Sequence, residues 1–333
     1  MTVLVNLIVT LGMFYVVPAG LRLIDPARLG RTARLWPLLA APGAVCLWLP
    51  RGAPATALAA LYAAATLTLA ARVPARLRRA LARTPSGRMH LAPAEAAVLT
   101  ALAAPSVAGL ALVSERAGYR LFGFDLDILA LTVPHFHFAG FTAALVAGLV
   151  CRAAGGGADR NTADGDGDAV RRDTSAGALA RWAGYSVPAG TLLVLLGYFV
   201  DDWAELVGAV TLTGGMWAVA LLTWRDIRPA ARDRTTGALL ATSAAVLVAT
   251  MLLALWWALG EATGITHPTL TWMAATHGLG NSLGFALCSL LAWRRLTAAP
   301  ATAHHPATAR RRATAPARTT RPDHTARTET VTP

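Results

Sequence analysis

The chain has 333 residues, 55% of them hydrophobic and 14% charged, with a mean hydropathy of +0.48. That balance excludes a soluble globular or disordered chain and is that of a membrane protein. The formal charge of +12 does not make it a nucleic-acid binder, because the basic residues, all arginine, sit between apolar runs and not on a polar domain surface.

A helix needs about 20 apolar residues to cross a bilayer. About nine runs qualify: 3–21, 35–49, 53–71, 93–113, 128–150, 182–200, 206–224, 237–259 and 270–293. The first has no basic residues before it, and Arg22, Arg28, Arg31 and Arg34 follow it, so it reads as a retained span with its N-terminus outside. The second is the weakest. It is short, contains Pro37 and Pro42, and turns through Pro50-Arg51-Gly52, so that 35–71 reads as a tight hairpin or a re-entrant element. Of the 30 basic residues only Arg51, Arg116 and Arg120 then fall in outside loops, a strong positive-inside asymmetry. The expected fold is therefore an all-α polytopic bundle over residues 1–295 with a cytoplasmic C-terminus.

Two segments read as non-membrane. Residues 153–180, with Gly155-Gly156-Gly157 and an Asp/Gly run from Asp159 to Asp168, have the composition of a flexible cytoplasmic loop. The run lacks the terminal glutamate of a calcium loop. Residues 296–333, rich in Arg, Thr, Pro and Ala, cannot bury a core and read as a disordered tail. Cys46, Cys151 and Cys288 share no C-x-x-C spacing and read as small buried apolar residues.

The candidate site lies in Pro134-His135-Phe136-His137-Phe138-Ala139-Gly140-Phe141. Polar side chains in hydrocarbon cost on the order of 2 kcal/mol or more, so they face a bundle interior, a partner or water. His137 in the fifth span and His277 in the ninth lie at similar depth, roughly 10–14 Å from the external ends. Each heads a stripe of small residues: His137, Gly140, Phe141, Ala144 and Gly148, and His277, Gly280, Asn281, Gly284 and Cys288. Two readings follow, and both bring the fifth and ninth spans together. Either the histidines join packed helices, with His137 bonded to Asn281 or a carbonyl, or His137, His277 and Asn281 line one polar cavity. On a regular helix His135 and His137 point about 160° apart, so only a kink at Pro134 would aim both at one place. Glu115, Asp125, Asp127, Asp201, Asp202, Glu205, Glu261 and His267 lie in external loops or at external helix ends and read as a cation-attracting vestibule or as ordinary polar rims.

The Pro-His-Phe-His-Phe-Ala-Gly-Phe element, followed by Thr-His-Gly-Leu-Gly-Asn-Ser-Leu-Gly-Phe over 276–285, resembles the YndJ-like family of bacterial polytopic membrane proteins, whose members are often labelled transporters. The resemblance implies a multi-pass protein of a bacterial plasma membrane and supplies no residue roles. The residues allow three functions: a transporter or permease for a small molecule or ion, an intramembrane metal- or haem-binding enzyme using the histidines, and a structural or signalling protein in which they only join helices. The first is the expectation. No cofactor is called for, though metal or haem ligation stays open. The partners are the lipid bilayer and an unidentified substrate, and the sequence does not give an oligomeric state.

Overall fold

A single residue, Asp25, separates the first two helices. Its extended backbone breaks α1 (Thr2–Ile24) from α2 (Pro26–Cys46), and its carboxylate accepts the Arg28 amide at 3.0 Å, while Pro26 starts the new helix with φ already set. The computed structural model describes residues 2–82, 91–158 and 167–298, and among these there are helices and no strand. The chain continues as α3 (Ala53–Ala70), α4 (Val73–Ala82), α5 (Pro93–Arg116), α6 (Leu126–Ala154), α7 (Gly167–Gly197), α8 (Asp202–Ala230), α9 (Arg234–Thr263) and α10 (residues 270–298). Seven helices are long and apolar enough to cross a membrane: α1, α3 with α4, α5, α6, α7 from Ser175, α8 and α9. The runs at 35–49 and 270–293 fall in helices outside this set, because Arg28, Arg31 and Arg34 dilute α2, and His277, Asn281 and Ser282 dilute α10.

Two boundaries differ from expectation. The second helix starts at Pro26, well before residue 35, because nothing between Asp25 and Leu35 breaks a helix and arginine favours one. The loop expected over 153–180 is largely helical: helix continues from α6 to Ala158, and α7 begins at Gly167. The alanines and arginines of 169–181 are good helix formers that the glycine and aspartate count had outweighed. Residues 159–166 and the tail from 299 lie outside the described residues.

The helix ends fall into two groups. At one end Gly52 N–H donates to Arg116 O at 3.0 Å, and Phe122 and Phe124 meet Phe199 edge-on. At the other, Arg72 donates to Thr32, Arg76 pairs with Glu95 through two hydrogen bonds, and Arg295 pairs with Asp233. This second end carries the arginine clusters. The α7–α8 hairpin connects the two ends as an antiparallel pair whose backbones nearly touch. A Cβ on Gly190 would lie 2.5 Å from Leu212 Cα, and one on Gly197 2.5 Å from Glu205 Cα, with Gly208 and Gly215 closer still to Val194 and Ser186. Helix α6 is the most enclosed of the seven apolar helices, so its side chains decide what the centre of the bundle contains.

Candidate functional site

Three helices widen where they meet. Gly12–Val16 in α1, Phe136–Thr142 in α6 and Gly280–Leu287 in α10 are π-helical turns in mutual contact. Such a turn shifts the hydrogen bonds from i+4 to i+5 and re-aims the side chains around it, and π-turns within α-helices occur frequently at functional sites. In α6 the shift follows Pro134, which has no N–H to give to the preceding turn. The Ala143 N–H bonds Phe138 O, and Thr142 Oγ1 donates to His137 O at 3.0 Å.

His137 is fully buried and fully bonded. Its Nδ1–H donates to Val133 O at 2.7 Å, which leaves Nε2 to accept the Tyr62 hydroxyl at 2.5 Å. Tyr62 in α3 is also fully buried and meets Trp36 of α2 edge-on at 6.4 Å. Gly12 of α1 closes the other side; a Cβ there would sit 3.0 Å from the His137 ring. His137 therefore fastens α6 to α3 beneath α1. It bonds a carbonyl, as one expectation had it, and not Asn281.

His135 points the other way, as residues two apart on a helix must. It lines a cavity of about 470 Å³ walled by α1, α5, α6, α7, α8, α9 and α10, and it has no hydrogen-bond partner among the described residues. Pro134 lines the same cavity, as do His277 and Asn281. His277 Nδ1–H donates to Thr250 O at 2.9 Å, Nε2 accepts from Asn281 Nδ2 at 2.8 Å, and Thr250 Oγ1 donates to Asn281 Oδ1 at 2.9 Å. His135 and His277 are close enough to interact electrostatically. The structure thus brings His135, His277 and Asn281 together and leaves His137 behind the cavity wall. The pairing expected of His137 with His277 belongs to His135, since the proline and the π-turn fix which face of α6 looks at α10.

The small-residue stripes serve different neighbours. On α6, Gly140 faces Ala104 of α5, and Gly148 faces Ala94 and Ala97. On α10, Gly280 and Gly284 face Thr250 and Val246 of α9. The fifth and ninth runs do touch, through their π-turns.

The acids at the other end of the bundle divide among ion pairs, helix ends and the cavity wall. Glu115 is 1% exposed and held by Arg51 at 2.9 Å and by Arg116, which also donates to Cys46 O and Leu49 O and so ties the α2–α3 turn to α5. Asp125 pairs with Arg120, Asp201 caps α8 through Ala204 N–H, and Glu261 pairs with His267 at 3.2 Å. Asp127 and Asp202 lie in the first turns of α6 and α8, where the helix dipole favours acids. The carboxylate that does line the cavity is Glu205, beside Tyr198. Among the described residues no group of three or more His, Cys, Asp or Glu is placed to hold a metal ion. All three cysteines are free.

Tyr62 and Thr250 are the participants that sequence reasoning does not mark as parts of these sites, whereas Glu205 belongs to the expected group of external acids. Nothing distinguishes Tyr62 from any tyrosine in an apolar run, and its partner is 75 residues away. Glu205 is readable as an acid near a helix end, but its inward aim depends on the α7–α8 contact.

A family model described as YndJ-like protein matches residues 7–285, a stretch that contains the π-turns of α1 and α6, most of that of α10, the His137 lock and both cavity histidines. The chain belongs to the YndJ-like family. No curated protein and no solved structure matches it. Family membership and the apolar helices together make it a multi-pass helical membrane protein. For this YndJ-like protein the residue roles rest on the geometry just described.

Proposed function

We propose that this YndJ-like protein is a permease of a bacterial plasma membrane, with a cavity for a small amphipathic molecule between α6 and α10. Nine spans, an external N-terminus and a cytoplasmic arginine-rich end and tail complete the reading, which the segregation of arginines to one end of the bundle supports. The observation that carries it is His135, an imidazole with no hydrogen-bond partner among the described residues, in a cavity otherwise walled mostly by aliphatic and aromatic side chains. Ligand pockets typically combine about 300–1,000 Å³ of largely apolar wall with a few polar groups that fix orientation. A bare ion is less well served, since hard cations take six or so oxygen ligands and this wall offers few polar groups. His135 would orient the occupant, with Asn281 and the His277 edge beside it.

The test is extraction of the protein in polymer-bounded native nanodiscs, followed by mass spectrometry of small molecules retained by wild type, His135→Ala and the cavity-filling Ala139→Phe. A molecule enriched on wild type and lost from both variants, at unchanged melting temperature, is expected. Reconstituted vesicles should then move that molecule across the bilayer. The same retained set in all three proteins would overturn the reading.

A further inference from the structure

The polar groups of the cavity are unevenly placed by charge. The chain carries 30 basic residues, yet among the described residues no arginine lines the cavity, and Glu205 is the one carboxylate that does. The charged groups that act electrostatically on Glu205 are the acids Asp202 and Glu261. His267 pairs with Glu261. The wall next to Glu205 is aromatic: Tyr198, Phe124 and Phe199 form an edge-on cluster, with ring centroids 6.1 and 5.4 Å apart, and Trp257 completes the lining from α9.

We infer that the cavity takes a lipophilic organic cation, a protonated or quaternary onium group on an apolar body, with the charge held by Glu205 and the rings of Tyr198, Phe124, Phe199 and Trp257. This rests on the cavity reading above and adds the sign of the occupant. Aromatic faces attract such cations through their negative quadrupoles, and the attraction grows when water is excluded. Onium groups need no tight shell of ligand atoms, which suits a site without a metal-holding cluster. An anionic or zwitterionic amphiphile would bring a phosphate or carboxylate next to Glu205 with no arginine lining the cavity to meet it. The apolar body would extend towards His135, leaving the imidazole to bond any acceptor or donor on the far end.

The probes are methyltriphenylphosphonium and triphenylphosphine oxide, of nearly the same shape, one charged and one neutral. Equilibrium binding of each is measured on the purified full chain in maltoside micelles, with empty micelles subtracted. Wild type should bind the phosphonium at least about tenfold more tightly, as expected for a desolvated charge pair. Glu205→Gln should lower phosphonium affinity to that of the oxide while leaving the oxide unchanged, and Glu205→Asp should keep the preference. Equal wild-type affinities, or a preference that survives Glu205→Gln, would overturn the cation inference and leave the cavity reading standing. Binding of neither probe would overturn both. The wild-type comparison holds even if Glu205→Gln fails to fold.

Discussion

His137 of α6 and His277 of α10 look alike in sequence, each heading a glycine-rich stripe inside an apolar run, and the structure gives them unlike work. His137 is sealed, with both ring nitrogens spent on Val133 O and Tyr62 and Gly12 pressed against its ring. His277 is also bonded at both nitrogens, but its partners belong to a polar triangle with Thr250 and Asn281 that opens on the cavity. The unspent imidazole is a third one, His135. In a helix bundle, then, the partners a histidine's hydrogen bonds reach say more about its role than its depth or its neighbours in sequence.

The sharpest way to break this comparison is His137→Ala. It removes two hydrogen bonds, strands the Tyr62 hydroxyl and opens an imidazole-sized void, at a cost of roughly 2–4 kcal/mol. A marked fall in melting temperature in detergent is expected; an unchanged value would mean that His137 is not the lock described. His277→Ala loses bonds between neighbouring helices, which in membranes average about 0.6 kcal/mol and reach about 1.7. Its melting temperature should fall less, and ligand retention should fall too.

A smaller effect belongs at the other end of the α9–α10 pair. Asp233 accepts the Thr236 amide and hydroxyl and pairs with Arg295, and these bonds, the backbone one foremost, hold its carboxyl below the usual carboxylate range. A depressed folded-state value means that the contribution is present above the ordinary carboxylate pKa and is lost as pH falls through the folded value. Melting curves of wild type and Asp233→Asn should therefore differ at neutral pH and converge in acid. A gap that persists in acid would show that the bonds do not depend on charge. The smallest change in stability is expected for His135→Ala, within about 0.5 kcal/mol because His135 makes no hydrogen bond among the described residues. A large loss there would mean a structural partner for His135.

The helical class was legible from run length, and the separation of arginines from the remaining helix ends was legible from their spacing. The contest between His135 and His137 was half legible. Helical geometry already placed them on opposite faces, but which face meets α10 depends on the extra residue of the π-turn after Pro134, and no sequence period marks that. The Tyr62 hydroxyl was invisible because it joins segments 75 residues apart. The helical start of α7 was hidden by the glycines and aspartates before it, where local composition and continuation of a membrane helix pull in opposite directions. The place of one acid was hidden for a related reason. Glu115 lies at a helix end in sequence, yet Arg51 and Arg116 draw it under the α2–α3 turn.

The glycines that let α7 and α8 touch backbone to backbone also govern how the cavity can move. With Gly190, Gly197, Gly208 and Gly215 seated against the opposing chain, neither helix can slide past the other without steric collision. Val194, Leu195, Tyr198, Glu205, Ala209 and Leu212 of this hairpin form one wall of the cavity. A change in cavity width at this wall is therefore expected to carry the two helices together. A spin-label pair across the α7–α8 seam should hold its distance while a pair from α8 to α6 changes when a ligand binds.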